Sequence, residues 1–332
     1  MLTMWIKALR VIPRVSKEEW DRLDVISRWL IASRAAVFIM TATAGAVGGL
    51  LAWRLGEFSW AVFLPALAGI VLAHATNNML NDLVDYKKGI DHNNYYRAQY
   101  GPHPLEHGLL SRNQFLGYIV VTGLLALACG AWVTWLTGWE TLWLIGAGLF
   151  FLLFYTWPLK YIGLGELSVV FVWGPLMVGG TSFVVTGGHW DAAIMIVALV
   201  YSFGPTTVLL GKHTDKLEMD REKGVRTLPV VIGEKASPYL TQGLWIVQYA
   251  MVLLLVFTRE FTPALLIVFL TIPHFLKMCK VFLVPRPLQP PAGYDPQAWP
   301  LYLVAYAFGF TRKFGLLFLL GVICDAILVR VF

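Results

Sequence analysis

Charge is scarce in this sequence: Asp, Glu, Lys and Arg make up 14% of its 332 residues, too little to coat a water-soluble domain of this size. Cysteine is scarcer still. Cys129, Cys279 and Cys324 are the only three, they stand in or near apolar stretches, and none has a CxxC partner, which excludes a disulfide framework and a cysteine zinc site. No cleavable signal peptide is expected, because residues 1–24 mix charged and apolar side chains where a leader would show a basic start and then an apolar run. No internal repeat of fixed period is present.

What fills the sequence is apolar: 58% of residues are hydrophobic and the mean hydropathy is +0.65, so the bilayer must be the solvent. A spanning helix needs about 20 mostly apolar residues. Such stretches run from Val25 to Trp53, Trp60 to Asp85, Gln114 to Leu136, Thr141 to Trp157, Gly165 to Thr186, Ala192 to Lys212, Pro238 to Thr258, Pro263 to Leu283 and Tyr302 to Val329. The expected fold is all-α and polytopic, with about nine transmembrane helices over residues 25–332, preceded by a lead-in over residues 1–24. In the lead-in, Leu2, Trp5, Ile6 and Leu9 oppose Lys7 and Arg10, and Ser16 with Glu19 makes a capping box. The last interval is long, so Gly309 to Phe314 is a candidate interfacial break.

Every Lys and Arg except Arg54, Arg259 and Arg330 falls in the N-terminal segment with the start of the first span or at alternate loops and the span ends beside them. By the positive-inside rule the N terminus is cytoplasmic, the C terminus external, and the protein an integral protein of a cytoplasmic or inner membrane. The net charge of +6 therefore reports orientation and gives no reason to expect nucleic acid.

Polar residues at membrane depth mark function, and they gather at the end of the second span: Asn77, Asn78, Asn81, Asp82, Asp85 and, further on, Asp91. At 100° per residue Asn78, Asp82 and Asp85 fall within about 60° of one another, with Asn81 adjacent. Hard oxygen ligands on one face suit Mg²⁺, which completes its octahedron with water and phosphate oxygens. A helix end merely solvated among headgroups would use Lys, Ser and Gly more than Asn and Asp. A second charged segment, Lys212 to Thr227, follows the sixth span on the same side. There Asp215, Glu218 and Glu222 share a face while Asp220 lies beside Lys212 and Lys216, and a salt-bridged solvated helix is the alternative. Two acidic helix ends with cations between them suit a metal-bridged diphosphate carrying a lipid tail.

In these segments the chain resembles the UbiA superfamily of intramembrane prenyltransferases. Asn81-Asp82-x-x-Asp85-x-x-x-Gly89-x-Asp91 is similar to the first aspartate-rich motif in the form used by the 1,4-dihydroxy-2-naphthoate, or menaquinone, branch. Asp220-Arg221-x-x-Gly224-x-x-Thr227-Leu228 resembles the tail of the second motif. His107 to Ser111 takes the place of a small turn after the first, and Tyr155-x-x-Pro158-x-Lys160 followed by Leu164-Gly165-Glu166 resembles the signature after span four. The resemblance implies a nine-helix bundle around a lipid-open cavity. It also implies Mg²⁺-dependent transfer of a polyprenyl group from its diphosphate to an aromatic, quinone-precursor acceptor. Carried over, it makes Asn78, Asn81, Asp82 and Asp85 ligands of Mg²⁺ and diphosphate and Asp220 a ligand of a second metal. Lys160, Lys212 and Arg97 would contact phosphate. One departure stands out: Lys216 occupies the other aspartate position of the second motif, with Asp215 and Glu218 as near misses. Either Asp215 or Glu218 comes round as a ligand, or the Lys216 ammonium replaces one metal's charge.

Ionisation of an allylic diphosphate leaves positive charge on the prenyl carbon, for which aromatic faces such as Tyr155, Trp157 and Tyr161 are candidates. His103 and His107, interrupted by Pro104, are expected in a loop; His74, one turn before Asn78, is placed to line the cavity. The competing readings are an ion or solute transporter, which would carry its polar groups at mid-membrane, and a catalytically altered member that only binds prenyl lipid.

Overall fold

The computed structural model describes residues 1–93, 96–296 and 298–331, and every regular element among them is helical. Among the described residues eight helices are long and apolar enough to cross a membrane: α1 (Ala35–Leu55), α2 (Trp60–Lys87), α3 (Arg112–Thr137), α5 (Gly165–Val185), α6 (Ala192–Asp215), α7 (Ala236–Phe257), α8 (Pro263–Phe282) and α9 (Leu303–Val331). A ninth, α4 (Thr141–Phe154), has 14 residues and rises about 21 Å, short of the roughly 30 Å hydrocarbon core. A turn and a short 3₁₀ segment, Leu159–Ile162, follow it, so the apolar run reads on to Trp157 although the helix stops at Phe154.

The expected first span is also altered. Its leading part forms a separate helix, Val25–Ala32, capped by the Asp24 carboxylate, and Arg34 at φ 59° turns the chain before α1 begins. α9, by contrast, continues through Gly309 to Phe314 without interruption. In α5 the segment Val172–Gly179 is π-helical and contains Pro175, whose missing N–H favours a widened turn. There α1 comes very close: a Cβ on Gly48 would lie 2.5 Å from the Val178 carbonyl oxygen, so only glycine permits this approach.

Neighbouring helices close a ring. α1 packs on α2 and α5, α2 on α3 and α4, α5 on α6, and α9 on α6, α8 and α1. At the end away from the polar motifs, Asp325 of α9 is fully buried, accepting from Arg54 Nε at 2.6 Å and from the Thr262 amide at 2.6 Å. Trp60, Trp135, Trp139 and Trp143 are exposed around that end, an aromatic belt of the kind found at the membrane interface. The expected capping box of the lead-in forms at Ser16 and Glu19. Between its two short helices, Arg14 donates to the carbonyls of Gln99 at 3.0 Å and Trp299 at 3.3 Å, tying together two loops at the polar end.

Candidate functional site

The polar face of α2 is organised by the break before α1. A helix that stops leaves carbonyls without partners, and here Asn78 Nδ2 donates to the Ser33 carbonyl at 2.9 Å. The left-handed Arg34, an uncommon conformation for a non-glycine residue, returns a guanidinium to the same spot: it donates to the Asn78 carbonyl at 2.8 Å and lies 3.4 Å from Asp82. Arg97 completes the enclosure of Asp82 with a 2.9 Å ion pair. Burial disfavours the Arg97 charge, yet Asp82 more than compensates and holds the guanidinium's pKa above its ordinary value. Asp82 itself is 1% exposed.

One turn on, Asp85 meets the segment that follows α4. Lys160 Nζ lies 2.8 and 2.5 Å from the two Asp85 oxygens and the Tyr161 hydroxyl donates at 3.1 Å. Asn81 Nδ2 reaches Thr156 Oγ1 at 3.1 Å. Irregular backbone at this depth is tolerable only where it is enclosed by protein or lines a polar cavity, and here Tyr155 and Lys160 line the polar chamber.

The second segment departs from the expected metal site. Asp215 is not brought to α2 at all. Its carboxylate accepts from the amides of Tyr302, Leu303 and Val304 at 2.9 to 3.0 Å and from Arg286 Nε at 3.1 Å, so it caps the free N–H groups that begin α9. That corrects the expectation of Asp215 as a metal ligand: its lone pairs are already spent on helix donors. Asp220 is fully buried, 2.7 Å from Lys216 Nζ and accepting from Thr227 Oγ1 at 3.2 Å. It stands behind Lys216 as its counter-ion, a position at odds with direct ligation of a second metal. Glu218 pairs with exposed Arg221 instead. The adjacent His213 is held by Glu166, Nδ1 to Oε1 2.6 Å.

These elements converge on a small chamber of about 30 Å³ lined by Asn81, Asp85, Asp91, Tyr96, Arg97, Tyr155, Lys160, Lys212, His213 and Lys216. Four cationic side chains thus face two carboxylates, and the field is felt outside the spans. Burial alone would raise the Tyr100 phenol, but Lys212, Arg97 and Arg34 bring it below its usual value. Next to it opens a chamber of about 670 Å³, apolar over most of its wall, which shares Asn81, Tyr155 and Lys212 with the small one and extends past Trp173 and Gly130 to Val184. Its wall comes mainly from α1 to α6 and α9, with Arg10, Ile12 and Tyr100 from the lead-in and the segment after α2.

Of the residues singled out from the sequence, Asn81, Asp85, Arg97, Tyr155, Lys160, Lys212 and Lys216 line the small chamber; Asn78 lines the large one, with Asp82 between its two arginines. Arg34 was not singled out, since a lone Arg near a span start reads as an orientation signal. His103 stands in a loop, as expected, but is fully buried there, with Nε2 2.9 Å from Asp91, and secures that carboxylate in the chamber wall. No group of three or more His, Cys, Asp or Glu stands ready for a metal among the described residues.

The model of the UbiA prenyltransferase family matches residues 38–294. The mouse "UbiA prenyltransferase domain-containing protein 1" is 27% identical over 281 residues, covering 80% of this chain and 81% of that one. A Drosophila melanogaster homolog of it is 28% identical over 257 residues, covering 72% and 69%. Among solved structures, digeranylgeranylglyceryl phosphate synthase superposes with a TM-score of 0.58 at 20% identity, covering 90% of this chain and 97% of that one. A UbiA homolog from Archaeoglobus fulgidus solved with GPP and Mg²⁺ gives 0.54 at 17% identity, with 86% and 99% covered. At these identities the structures establish a shared fold.

Proposed function

The chain belongs to the UbiA prenyltransferase family, an integral multi-pass prenyltransferase, and we propose that it transfers a polyprenyl group from its diphosphate to an aromatic quinone precursor, with dihydroxynaphthoate as the first acceptor to test. One observation carries this reading: a chamber walled by four cations, two carboxylates and an amide opens beside an apolar chamber of about 670 Å³ within the membrane. A diphosphate would enter the first as its ion pairs part, and its isoprenoid tail would occupy the second. The motif form around Asp82 and Asp85 supports the naphthoate type of acceptor, and the aromatic groups of Tyr155 and Trp173 on the wall suit a flat ring and a developing prenyl cation. The A. fulgidus homolog solved with GPP and Mg²⁺ supports the donor class.

The donor chemistry fits Mg²⁺. Asp85 and Asn81 present hard oxygens in the chamber wall, and Asp82 and Asn78 stand beside them on the same helix; these four would hold the ion, which takes few protein ligands and fills its shell with water and phosphate. Bound there, Mg²⁺ would neutralise charge developing on the leaving diphosphate. The small chamber, at about 30 Å³, has room for about one water, so the Lys160–Asp85 and Arg97–Asp82 pairs must separate on binding, which frees cations for phosphate oxygens and carboxylates for the metal. On the other wall Lys212 and Lys216 supply fixed positive charge, Lys216 oriented by Asp220.

Labelled prenyl diphosphate and dihydroxynaphthoate supplied to membranes containing the protein test the reading. Asp85→Ala is expected to lower magnesium-dependent transfer by about 100-fold or more, the scale of losing one electrostatic contact to a reacting group. Full activity in both Asp82→Ala and Asp85→Ala would sink it. The same reading places the polar chamber on the cytoplasmic side and Val331 outside; a reporter fused to the C terminus should be active only in its external form, and the opposite result would reverse the orientation.

A further inference from the structure

Prenylation of a hydroxyaromatic ring releases a proton, and the apolar chamber beside the diphosphate site leaves few groups to receive it. No carboxylate lines the large chamber among the described residues; its ionisable side chains are Arg10, Arg34, Lys212, Tyr100, Tyr155 and His74. Guanidinium and ammonium groups carry no lone pair for a proton, and a phenol holds its own. His74 alone among them is a base of the right kind.

Its setting is that of an oriented ring. Nδ1 lies 2.7 Å from Thr41 Oγ1, Trp173 stands edge-on with ring centroids 5.2 Å apart and planes at 85°, and Phe38 is tilted at 5.5 Å. His74 precedes Asn78 by one helical turn, about 6 Å deeper in the membrane. A flat co-substrate between the polar chamber and Trp173 therefore passes the imidazole.

We propose that His74 receives the proton of the co-substrate's hydroxyl, with Nδ1–H donating to Thr41 and Nε2 facing the chamber. This rests on the prenyl-transfer reading above and adds to it the base. The O–H proton passes to Nε2; the resulting oxyanion's π electrons form the new C–C bond to the prenyl carbon while the C–O pair leaves on diphosphate. The ring C–H proton then moves to the oxygen as aromaticity returns, and Nε2 yields its proton to diphosphate or water.

The test uses the full chain in membranes with three measurements: transfer to dihydroxynaphthoate, binding of geranyl thiodiphosphate with Mg²⁺, and rescue by added imidazole. His74→Gln is expected to slow transfer by about 10²- to 10⁴-fold, the range for general base catalysis, with thiodiphosphate binding unchanged, and imidazole is expected to restore part of the His74→Ala rate. Wild-type transfer rates in His74→Gln, parallel loss of thiodiphosphate binding, or no rescue in His74→Ala would each overturn the assignment of the base alone. A wild-type protein that transfers to no hydroxyaromatic co-substrate would overturn the functional reading and this inference with it.

Discussion

Asp82→Ala is expected to cost the protein both its activity and much of its stability. Asp82 is 1% exposed and lies between Arg97 at 2.9 Å and Arg34 at 3.4 Å, themselves nearly enclosed. Removing the shared carboxylate leaves two buried guanidinium groups with their mutual repulsion uncompensated, and breaking a buried pair in this way costs about 3–5 kcal/mol. Thermal unfolding in detergent reads that loss directly. A double-mutant cycle separates charge from shape: Asp82→Ala with Arg97→Met is expected to recover part of the stability that the single carboxylate deletion loses, because one stranded cation goes with it. Strictly additive losses would mean that Arg97 and Asp82 do not act as a pair. Transfer activity should stay low in the double variant, since neither the oxygen ligand nor the phosphate-binding cation remains.

Lys216→Met and Lys216→Asp give the second large effect. If Lys216 supplies charge to diphosphate, Lys216→Met removes a charged hydrogen bond of about 1.5–3 kcal/mol, roughly 10- to 150-fold in donor affinity, and leaves the fully buried Asp220 without the ammonium 2.7 Å away. Lys216→Asp would set two carboxylates four residues apart, and is expected to weaken geranyl thiodiphosphate binding further at every magnesium concentration. A Lys216→Asp protein that gained magnesium-dependent transfer with undiminished diphosphate affinity would show that the position is built for a metal ligand after all. Competition by inorganic diphosphate, measured against magnesium concentration, distinguishes the two outcomes without relying on turnover.

The bundle and the polar cluster on α2 were legible for the same reason: apolar runs of membrane length are long signals, and a group of Asn and Asp that interrupts one must meet partners of its own, as Asn78 and Asp82 do. Asp85 and Asn81 accordingly stand in the chamber wall. The second half was less legible because its carboxylates differ in what lies across from them, which spacing along one helix does not encode. Asp215 faces the amides at the start of α9, 87 to 89 residues away, and Asp220 faces Lys216 from within its own short helix. Arg34 escaped notice for a related reason. Its role depends on a left-handed backbone at φ 59°, a conformation that glycine would have advertised and arginine conceals. The shortness of α4 was hidden by composition, since Tyr155, Trp157 and Pro158 extend the apolar run past the point where the helix ends.

The contact between α1 and α9 bears on how the protein is made. Arg54 and Asp325, the pair that joins them, are 271 residues apart in the chain. At a synthesis rate of about 5–20 residues per second, the first helix has been in the bilayer for roughly 15–50 s before its carboxylate partner leaves the ribosome. Through that interval the nascent bundle is an open crescent whose cavity lacks the wall contributed by α9. A chain cut short before α9 would carry both motifs complete with the ring of helices unclosed.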